Sequence, residues 1–351
     1  MPTLLDRLDP LEEATLRHLI GGAIRTQAIY VAAKLGIADH LALGPRGADE
    51  LAEHTGTHAT TLRRVLRYLV SIGVFAERED GRFALNGIAE YLQTAHPRSL
   101  RPTSIRSGEG QWQVAARLFD AVRTGRTPYE EVHGAAFFER HSGAQPELAF
   151  AARMTSSTAG LGAALARLDS VAGARRVVDV GGGHGAILLS LLEAQPQLEG
   201  VLFDRAATIE SAKPGVARHA SGARCALVAG DFFQDVPAGD LHLLSWILHD
   251  WSDADAVRIL RACRAAGGGA GAKVLIVEAL LPERAIAANA PVAGALADPF
   301  TLDLQMLLLT GGRERTLGEY CELLRAAGYE AQGTTTLASA RGASVIEAAA
   351  V

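Results

Sequence analysis

Residues 177–186, which read VVDVGGGHGA, decide the fold of this chain. The first four residues have the apolar pattern of a buried strand, and Ala186–Glu193 has the pattern of a helix. The residues between them suit a tight strand-to-helix turn, because glycine tolerates positive φ and lets a ligand lie against the backbone. The helix N-terminus beyond the turn offers free N–H groups. The stretch therefore predicts a ligand-binding turn within an α/β domain.

Strands and helices alternate after this turn. The predicted strands are 201–204, 226–229, 241–248 and 273–278, and the predicted helices are 253–266 and 316–327. A closing hairpin is predicted from segments 334–337 and 344–348. Alternating strands and helices form mostly parallel sheets that are covered on both faces. We therefore predict a doubly wound, Rossmann-like α/β domain over residues 171–351.

The N-terminal part of the chain has a different pattern. Residues 11–95 read as mostly helical, with helices over 48–54 and 60–72 and an Asp80-Gly81 hairpin turn after them. Helix, turn, helix and hairpin form the outline of a winged helix. We predict a winged-helix-like dimerisation domain over residues 1–95 and linking helices over residues 96–170.

A winged-helix outline also fits a DNA-binding regulator, which is the remotest alternative. In that case Arg63, Arg64 and Arg67 would face phosphate. Three acids share the segment 48–75 with these arginines, and a DNA-reading module should be clearly basic. We therefore favour dimerisation and predict no nucleic-acid partner.

Composition places the chain among globular proteins. Of its 351 residues, 48% are hydrophobic and 21% are charged, and the formal net charge of −5 gives no general attraction to nucleic acid or anionic lipid. The three cysteines form no CxxC pair, so neither a disulfide framework nor a zinc site is expected. The first residues lack a signal-peptide pattern, and no apolar stretch is long enough to span a bilayer. These features predict a cytoplasmic protein without a membrane partner.

Asp204 ends the strand after the glycine turn, 19 residues beyond Gly185. At this spacing an acidic side chain can bind the ribose hydroxyls of a nucleoside. The turn loosely satisfies the fingerprint of NAD-dependent dehydrogenases, but it also suits an adenosyl sulfonium ligand. Asp231 and Phe232, after the third strand, favour the second ligand, because the carboxylate can accept from an adenine amino group while the ring packs on the base. Alternatively, Asp231 caps a helix.

His249 is the candidate catalytic base. It lies at the carboxyl end of the fourth predicted strand, the edge at which ligands bind in open α/β sheets. Glu278 ends the fifth strand on the same edge, and Glu314 precedes a helix-capping box. Two acids near one histidine can orient its ring and stabilise its protonated form, although each acid could equally pair with Arg313 or Arg315.

The chemistry of this histidine fits a phenolic acceptor. A phenol of pKa ~10 must lose its proton before it reacts, and a histidine of pKa ~6.5 can accept that proton. No pair of histidines or acids has metal-ligand spacing on one helix, so no metal site is predicted.

The order of these motifs resembles a known family. With the glycine turn, Asp204, Asp231 and His249-Asp250-Trp251 in succession, the chain resembles the caffeate/acetylserotonin-type S-adenosylmethionine-dependent O-methyltransferases, in their bacterial natural-product branch. The likeness covers nearly the whole chain. It implies SN2 methyl transfer to a hydroxyl of a small aromatic molecule such as a polyketide, phenazine or phenol. It also implies a homodimer joined through the N-terminal helices.

The resemblance also implies roles for individual residues. His249 is the general base, flanked by Glu278 and Glu314. The implied cofactor contacts are Phe150, Met154, Thr158, Gly181, Gly183, Asp204, Asp231 and Phe232. The implied acceptor-pocket residues are Trp246, Asp250, Met306 and Thr310.

One position departs from the family pattern. Ser245 stands where many plant members carry a lysine that contacts the cofactor, so this contact is in question here. Relatives repurposed for hydroxylation or decarboxylation, and N-methyltransferases, are the alternatives on this scaffold.

Overall fold

The computed structural model describes residues 10–140, 160–285, 298–337 and 343–351. Contacts between Cα atoms divide the chain into two compact units, Met1–Arg117 and Leu118–Val351. The three-part division at residues 95 and 170 remains a prediction. No helix in the described ranges is both long and apolar enough to cross a bilayer.

The first unit is helical and carries a small hairpin. Its helices are α1 Pro10–Ile20, α2 Gly22–Lys34, α3 Ile37–Leu41, α4 Ala48–Thr55, α5 Ala59–Ser71, α6 Arg101–Gly108 and α7 Gly110–Ala115, with a 3₁₀ helix at Ala89–Leu92. Helix α5 buries Leu62, Leu66 and Leu69, which helical spacing places on one face. Strands β1 Ala76–Glu77 and β2 Phe83–Ala84 form the hairpin predicted around Asp80-Gly81. The predicted succession of helix, turn, helix and hairpin is confirmed.

The second unit is built on an eight-stranded mixed sheet. Its strands are β3 Arg176–Val180, β4 Glu199–Asp204, β5 Cys225–Ala229, β6 Leu241–Ser245, β7 Lys273–Leu281, β8 Arg315–Thr316, β9 Tyr329–Thr336 and β10 Ala343–Ala350. The strand order is β5-β4-β3-β6-β7-β10-β9, and β8 pairs with the end of β7. Strands β5, β4, β3, β6 and β7 run parallel, whereas β10 and β9 form the predicted antiparallel hairpin.

Helices pack on both faces of this sheet. The helices of the second unit are α8 Leu118–Thr124, α9 Tyr129–His133, α10 Phe137–Arg140, α11 Leu161–Leu165, α12 Asp169–Ala172, α13 Ala186–Ala194, α14 Ala206–Arg218, α15 Asp253–Ala266, α16 Pro299–Leu309 and α17 Leu317–Ala326, with 3₁₀ helices at Gly222–Arg224 and Leu248–Asp250. Alternate residues of β3 enter different cores, since Val177 belongs to one cluster and Val178 to the other. The doubly wound prediction is confirmed.

The parallel strands bring the candidate residues to one edge of the sheet. The glycine turn follows β3, Asp204 ends β4, Ser245 ends β6, and Glu278 lies within β7. The prediction that this strand ends at Glu278 was wrong, because β7 continues to Leu281, where it pairs with β8. The prediction of a strand over 241–248 was wrong at its end. The strand stops at Ser245 because Trp246 has a φ of 57°, which is incompatible with an extended strand.

Candidate active site

The glycine turn is packed on one side and open on the other. Gly181, Gly183 and Gly185 have φ values of 71°, 60° and 76°, in the left-handed region that favours glycine. A Cβ on Gly182 would lie 2.5 Å from Asp179 Cγ and 2.6 Å from Leu202 Cδ1. A Cβ on Gly183 would have no described atom within 4 Å. A ligand can therefore approach the backbone from the Gly183 side.

The Asp204 carboxylate contacts this turn. Its Oδ2 accepts a hydrogen bond of 2.9 Å from the Gly183 N–H, and its Oδ1 accepts one of 2.7 Å from the Arg205 N–H. Burial raises the pKa of Asp204, while these hydrogen bonds act in the opposite direction. Sequence reasoning missed a second carboxyl group here. Burial, followed by the charge of Asp204, raises the pKa of the Asp179 carboxyl to about 7.

Asp231 and Phe232 lie in the turn after β5. The Asp231 carboxylate caps this turn, because its Oδ1 accepts from the Phe233 N–H at 2.9 Å and its Oδ2 accepts from the Gln234 side-chain amide at 3.2 Å. The carboxylate is exposed, so it retains acceptor capacity for a ligand. The Phe232 ring lies beside the glycine turn, with its Cε1 3.7 Å from the position of a Cβ on Gly181.

The end of β6 holds a buried hydroxyl and a left-handed tryptophan. Ser245 Oγ is buried and has no hydrogen-bond partner among the described residues. Trp246 is held in its left-handed conformation in part by its N–H, which donates to Val277 O at 3.0 Å. Its ring centroid lies 5.6 Å from that of His249. The strand end therefore places the Trp246 ring next to the candidate base.

His249 lies in the 3₁₀ turn Leu248–Asp250 and is buried. Its Nδ1 is 2.8 Å from Glu314 Oε1 and 3.6 Å from Glu278 Oε2. Both acids therefore face the same ring nitrogen. Since Glu314 is within hydrogen-bond distance, Nδ1 carries the proton that it donates to this carboxylate, and Nε2 is left as the other functional atom of the ring.

Glu278 contacts the backbone of this turn as well as the histidine ring. Its Oε1 accepts from the N–H groups of Ile247, Leu248 and His249 at 3.2, 2.9 and 3.3 Å. The carboxylate thus caps the amino end of the turn that carries the histidine. Glu278 and Glu314 are both fully or almost fully buried, so neither is a solvent-facing salt-bridge partner.

The acids around His249 control its charge. Burial opposes a charged ring, but the charges of Glu278 and Asp250 and the hydrogen bond with Glu314 outweigh it and raise the pKa of His249 to about 10. Burial raises the pKa of Glu278 to about 7, against the opposing effect of His249. Burial likewise raises the pKa of Asp250 to about 6. The cluster therefore strongly favours a proton on the ring.

The alternative pairing of these glutamates with arginines is not seen. Among the described ion pairs, Arg315 pairs with Asp253, and Arg313 pairs with Glu319 and Asp253. The Glu314 backbone is held separately, since its N–H donates to Asp303 Oδ1 at 2.9 Å. Sequence reasoning assigned no role to Asp303, and its helix gave no signal that it would meet Glu314.

The predicted acceptor-pocket residues are divided between two segments. Asp250 Oδ2 lies 3.9 Å from His249 Nε2, so this carboxylate faces the proton-accepting side of the ring. Met306 lies in the last turn of α16, and Thr310 follows that helix. The Thr310 hydroxyl donates to Met306 O at 3.2 Å and accepts from the Gly312 N–H at 3.2 Å, so it fixes the end of the helix.

The predicted residues Phe150, Met154 and Thr158 lie outside the described residues.

His249, Glu278 and Glu314 also form a possible ligand set for a metal ion. One ligand atom from each lies within 4.8 Å of the others. The three residues come from separate segments, so the absence of metal-ligand spacing in the sequence could not have revealed this group. A histidine that donates from Nδ1 to a carboxylate satisfies the 2.8 Å contact without a metal ion. The prediction of no metal therefore stays a prediction.

Comparison with known proteins identifies the family. A family model described as an O-methyltransferase domain matches residues 115–330. The chain belongs to the O-methyltransferase family. A second model, described as an O-methyltransferase dimerisation domain, matches residues 17–95. The chain is therefore an S-adenosylmethionine-dependent methyltransferase with an N-terminal dimerisation domain, and the predicted resemblance is confirmed.

Individual relatives match this O-methyltransferase over almost its full length. It is 39% identical over 343 residues to the phenazine O-methyltransferase PhzM of Lysobacter antibioticus, covering 97% of this chain and 96% of that protein. It matches the structure of the O-methyltransferase NcsB1 from neocarzinostatin biosynthesis, in complex with S-adenosylmethionine and 2-hydroxy-5-methyl naphthoic acid, with a TM-score of 0.80 and 33% identity. That match covers 93% of this chain and 96% of the other.

A third relative shows that the scaffold also supports other chemistry. The O-methyltransferase is 33% identical over 350 residues to the aclacinomycin 10-hydroxylase RdmB of Streptomyces purpurascens, covering 94% of this chain and 90% of that protein. Members of this family therefore share a fold and a cofactor class, whereas the reaction can differ from one member to another.

The described residues fit S-adenosylmethionine. The open face at Gly183, the Asp204 carboxylate beside it and the unpartnered Ser245 Oγ lie at the edge where a nucleoside with a charged tail would bind. These groups offer an approach to the backbone, a hydrogen-bond acceptor and a buried hydroxyl. S-adenosylmethionine rather than NAD is the cofactor of this family.

Proposed function

We propose that this enzyme methylates a phenolic hydroxyl of a small aromatic natural product, such as a phenazine, a polyketide or a related phenol, with His249 as general base. The observation that carries the proposal is the contact of 2.8 Å between His249 Nδ1 and Glu314. It fixes the ring and its tautomer and leaves Nε2 to accept a proton. The bacterial relatives that act on phenazine and naphthoate hydroxyls support the acceptor class.

The proton of the acceptor hydroxyl passes to His249 Nε2. The protonated ring that results is stabilised by Glu314 and Glu278 at Nδ1 and by Asp250 near Nε2. The same acids raise the pKa of His249 well above its ordinary value, so the neutral ring is a stronger base towards a phenol, and it must release its resting proton before it accepts that of the acceptor. The burial of the ring limits competition from water.

The cofactor would be held by the glycine turn and the side chains around it. Gly181 and Gly183 provide the backbone approach, Asp204 the acceptor for ribose hydroxyls, Asp231 and Phe232 the adenine contacts, and Ser245 a buried hydroxyl. When bound, S-adenosylmethionine supplies the methyl group, whose bond to sulfur breaks as the acceptor oxygen forms the new bond to carbon. Roles for Phe150 and Met154 are proposed from the family alone.

Trp246, Asp250, Met306 and Thr310 are proposed to line the acceptor pocket. The proximity of Trp246 and Asp250 to His249 supports this role for these two residues. An aromatic ring beside the base suits a flat aromatic acceptor, because offset stacking and edge contacts orient it.

A hydroxylase or an N-methyltransferase is the second candidate. Relatives named for these reactions are each 33% identical to this chain. The histidine held by two buried acids favours O-methylation, because an amine of ordinary basicity is already nucleophilic and needs no such base.

The enzyme is proposed to act as a cytoplasmic homodimer joined through the N-terminal helices. Leu16, Leu19, Ile20 and Ile24 on α1 and α2 are each at least 59% exposed, and the dimerisation model covers the last three of these residues. Large apolar side chains that cluster at the surface of one unit mark an interaction site. Arg63 and Arg67 lie 4.0 and 3.6 Å from Glu77, which supports the prediction that they do not bind nucleic acid.

Incubation with S-adenosylmethionine labelled with carbon-13 in its methyl group tests the proposal. The acceptors would be hydroxyphenazines, hydroxynaphthoates and matched aminophenazines, with products analysed by mass spectrometry and carbon-13 NMR. We expect a labelled methyl ether from at least one hydroxylated acceptor. Labelled N-methyl products alone, or a hydroxylated product without label, would assign the second candidate instead.

The affinity for S-adenosylhomocysteine tests the cofactor residues separately. Asp204→Asn should weaken binding about 10- to 100-fold, since hydrogen bonds to a charged group contribute about 1.5–3 kcal/mol. Glu210→Gln, at an exposed position of α14, is the matched control and should leave the affinity unchanged. Equal affinities for all three proteins would remove Asp204 from the site.

A further inference from the structure

Arg315 is a fully buried arginine beside the catalytic turn. It lies in β8, directly after Glu314, and its side chain has no exposed surface. Its Nε donates to Asp253 Oδ1 at 2.9 Å. Nη1 donates to Leu248 O at 2.9 Å and Arg313 O at 3.3 Å, and Nη2 donates to Trp251 O at 2.8 Å and Asp253 Oδ1 at 2.7 Å. An arginine has five N–H donors, and all five are satisfied here.

The turn that carries His249 is held from both ends. On one side, the Glu278 carboxylate accepts from the N–H groups of residues 247–249. On the other side, the Arg315 guanidinium donates to the carbonyls of Leu248 and Trp251, which flank His249 and Asp250. The negative carboxylate thus faces backbone N–H groups of the turn, and the positive guanidinium faces its carbonyl oxygens. The peptide dipoles stabilise both charges, and both charges hold the turn in place.

The chain segment that leads into β8 links this turn to Glu314, the acid that orients the ring. Arg313 N–H donates to His249 O at 2.8 Å, so Arg313 and Arg315 bracket Glu314 with contacts to residues 248–251. A shift of the 248–251 backbone would therefore change the distance between His249 Nδ1 and Glu314 directly.

We propose that Arg315 is a positioning residue for methyl transfer, which holds the Leu248 and Trp251 carbonyls so that His249 stays in register with Glu314. This inference rests on the proposed role of His249 as base. Arginine is required because its planar fork reaches two carbonyls and a carboxylate at once, whereas the ammonium of lysine is a single point donor on a flexible chain.

Arg315→Lys tests the proposal, since it keeps the charge and removes the fork. We expect kcat to fall about 10- to 100-fold, the range expected when a base is displaced by about 1 Å. The affinity for S-adenosylhomocysteine should stay within about threefold. Arg325→Lys is the matched control, because Arg325 lies at an exposed position of α17, and its kcat should stay within about twofold of the parent.

Combination with His249→Ala separates positioning from general structure. If Arg315 acts through His249, Arg315→Lys should cause no further loss in the His249→Ala background. An equal fold-loss in both backgrounds, or a joint loss of kcat and of S-adenosylhomocysteine binding, would overturn the proposal. Arg315→Gln is the second variant if Arg315→Lys does not fold, with the same outcomes.

The two proposals fail in different ways. If His249→Ala lowers the rate but Arg315→Lys does not, only the positioning role is wrong. If His249→Ala itself leaves the rate unchanged, His249 is not the base and the positioning role falls with it.

Discussion

His249 meets Glu314 and Glu278 through one ring nitrogen, and this geometry separates the tasks of the two acids. Glu314 accepts the hydrogen bond from Nδ1, whereas one carboxylate oxygen of Glu278 accepts hydrogen bonds from three backbone N–H groups. The first acid orients the ring, and the second fixes the turn beneath it. Substitution of either should impair catalysis, because both acids raise the pKa of the ring, Glu278 through its charge and Glu314 through its hydrogen bond and charge.

Glu314→Gln is expected to shift the pH dependence of kcat/KM. A base must be unprotonated before it reacts, so kcat/KM rises with pH as His249 loses its proton. Because the pKa of His249 is raised, this rising limb of the pH–rate profile lies above the ordinary histidine pKa of ~6.5. Removal of the Glu314 charge removes a group that favours the protonated ring. The pKa therefore falls, and the limb should move to lower pH by on the order of one unit, with kcat reduced about 10- to 100-fold.

The measurement compares pH–rate profiles for one acceptor, so that ionisation of the acceptor is common to all proteins. Glu322→Gln, at an exposed position of α17, is the control and should keep the parent profile. A limb that stays in place or moves upward in Glu314→Gln would show that Glu314 does not set the pKa of His249.

Part of this site was predictable residue by residue. Asp204 ends its strand, as predicted, and the predicted acids flank His249, because Glu278 lies in β7 beside the end of β6 and Glu314 directly precedes β8, which pairs with the end of β7. Arg315 and Asp303 were not predictable as site residues. Their contacts join segments more than ten residues apart, and a single arginine or aspartate near a helix cap carries no local signal of such a partner.

At the scale of elements, the end of β6 was the least predictable feature. An apolar run through Leu248 favoured a longer strand, whereas the chain turns left-handed at Trp246. A bulky aromatic residue has no local preference for positive φ, so the surroundings must impose this conformation. Such strain is common at functional sites. Here the left-handed conformation of Trp246 orients the turn that carries His249. Helix bounds, in contrast, follow local rules and were predicted well at α15, and the predicted capping box is present at α17.

The contact between the β8 segment and the histidine turn gives a prediction at this scale. A Cβ on Gly312 would overlap His249 O and lie 2.5 Å from Asp250 C. Backbone atoms cannot move aside as a flexible side chain can, so Gly312→Ala should displace the turn. We expect kcat to fall about 100-fold and the folded state to lose about 1–3 kcal/mol.

Gly333→Ala is the control for this substitution, because a Cβ there meets no atom within 4 Å. Thermal unfolding and kcat would be measured for both variants. If Gly312→Ala kept the kcat of the parent, the close contact between Gly312 and the backbone of residues 249–250 would not be required for catalysis.

At the scale of the whole molecule, the order of secondary structure was enough to predict the architecture. Alternating strands and helices after residue 176 gave a parallel sheet, and helix, turn, helix and hairpin before it gave the first unit. The order of elements could not identify the surface residues of the first unit that are proposed to contact a second copy. The exposure of those residues depends on how the helices pack.

A substitution on α1 tests the proposed dimer. Leu16 and Ile20 are 59% and 72% exposed, and their removal from water on dimerisation would favour association. The double variant Leu16→Glu, Ile20→Glu should therefore be monomeric at concentrations where the parent is a dimer, as measured by analytical ultracentrifugation. Leu43→Glu, at a site that is 79% exposed, is the control and should remain dimeric. A dimeric double variant would place the interface elsewhere.

His249→Ala tests the central claim most directly. The measurement is kcat for methyl transfer from S-adenosylmethionine to a hydroxylated aromatic acceptor, together with the Kd for S-adenosylhomocysteine determined by calorimetry. We expect kcat to fall about 10²- to 10⁴-fold with the Kd nearly unchanged, because the ring moves a proton and does not hold the cofactor. An unchanged kcat, or a Kd weakened as much as kcat, would contradict the assignment of His249 as the base of this O-methyltransferase.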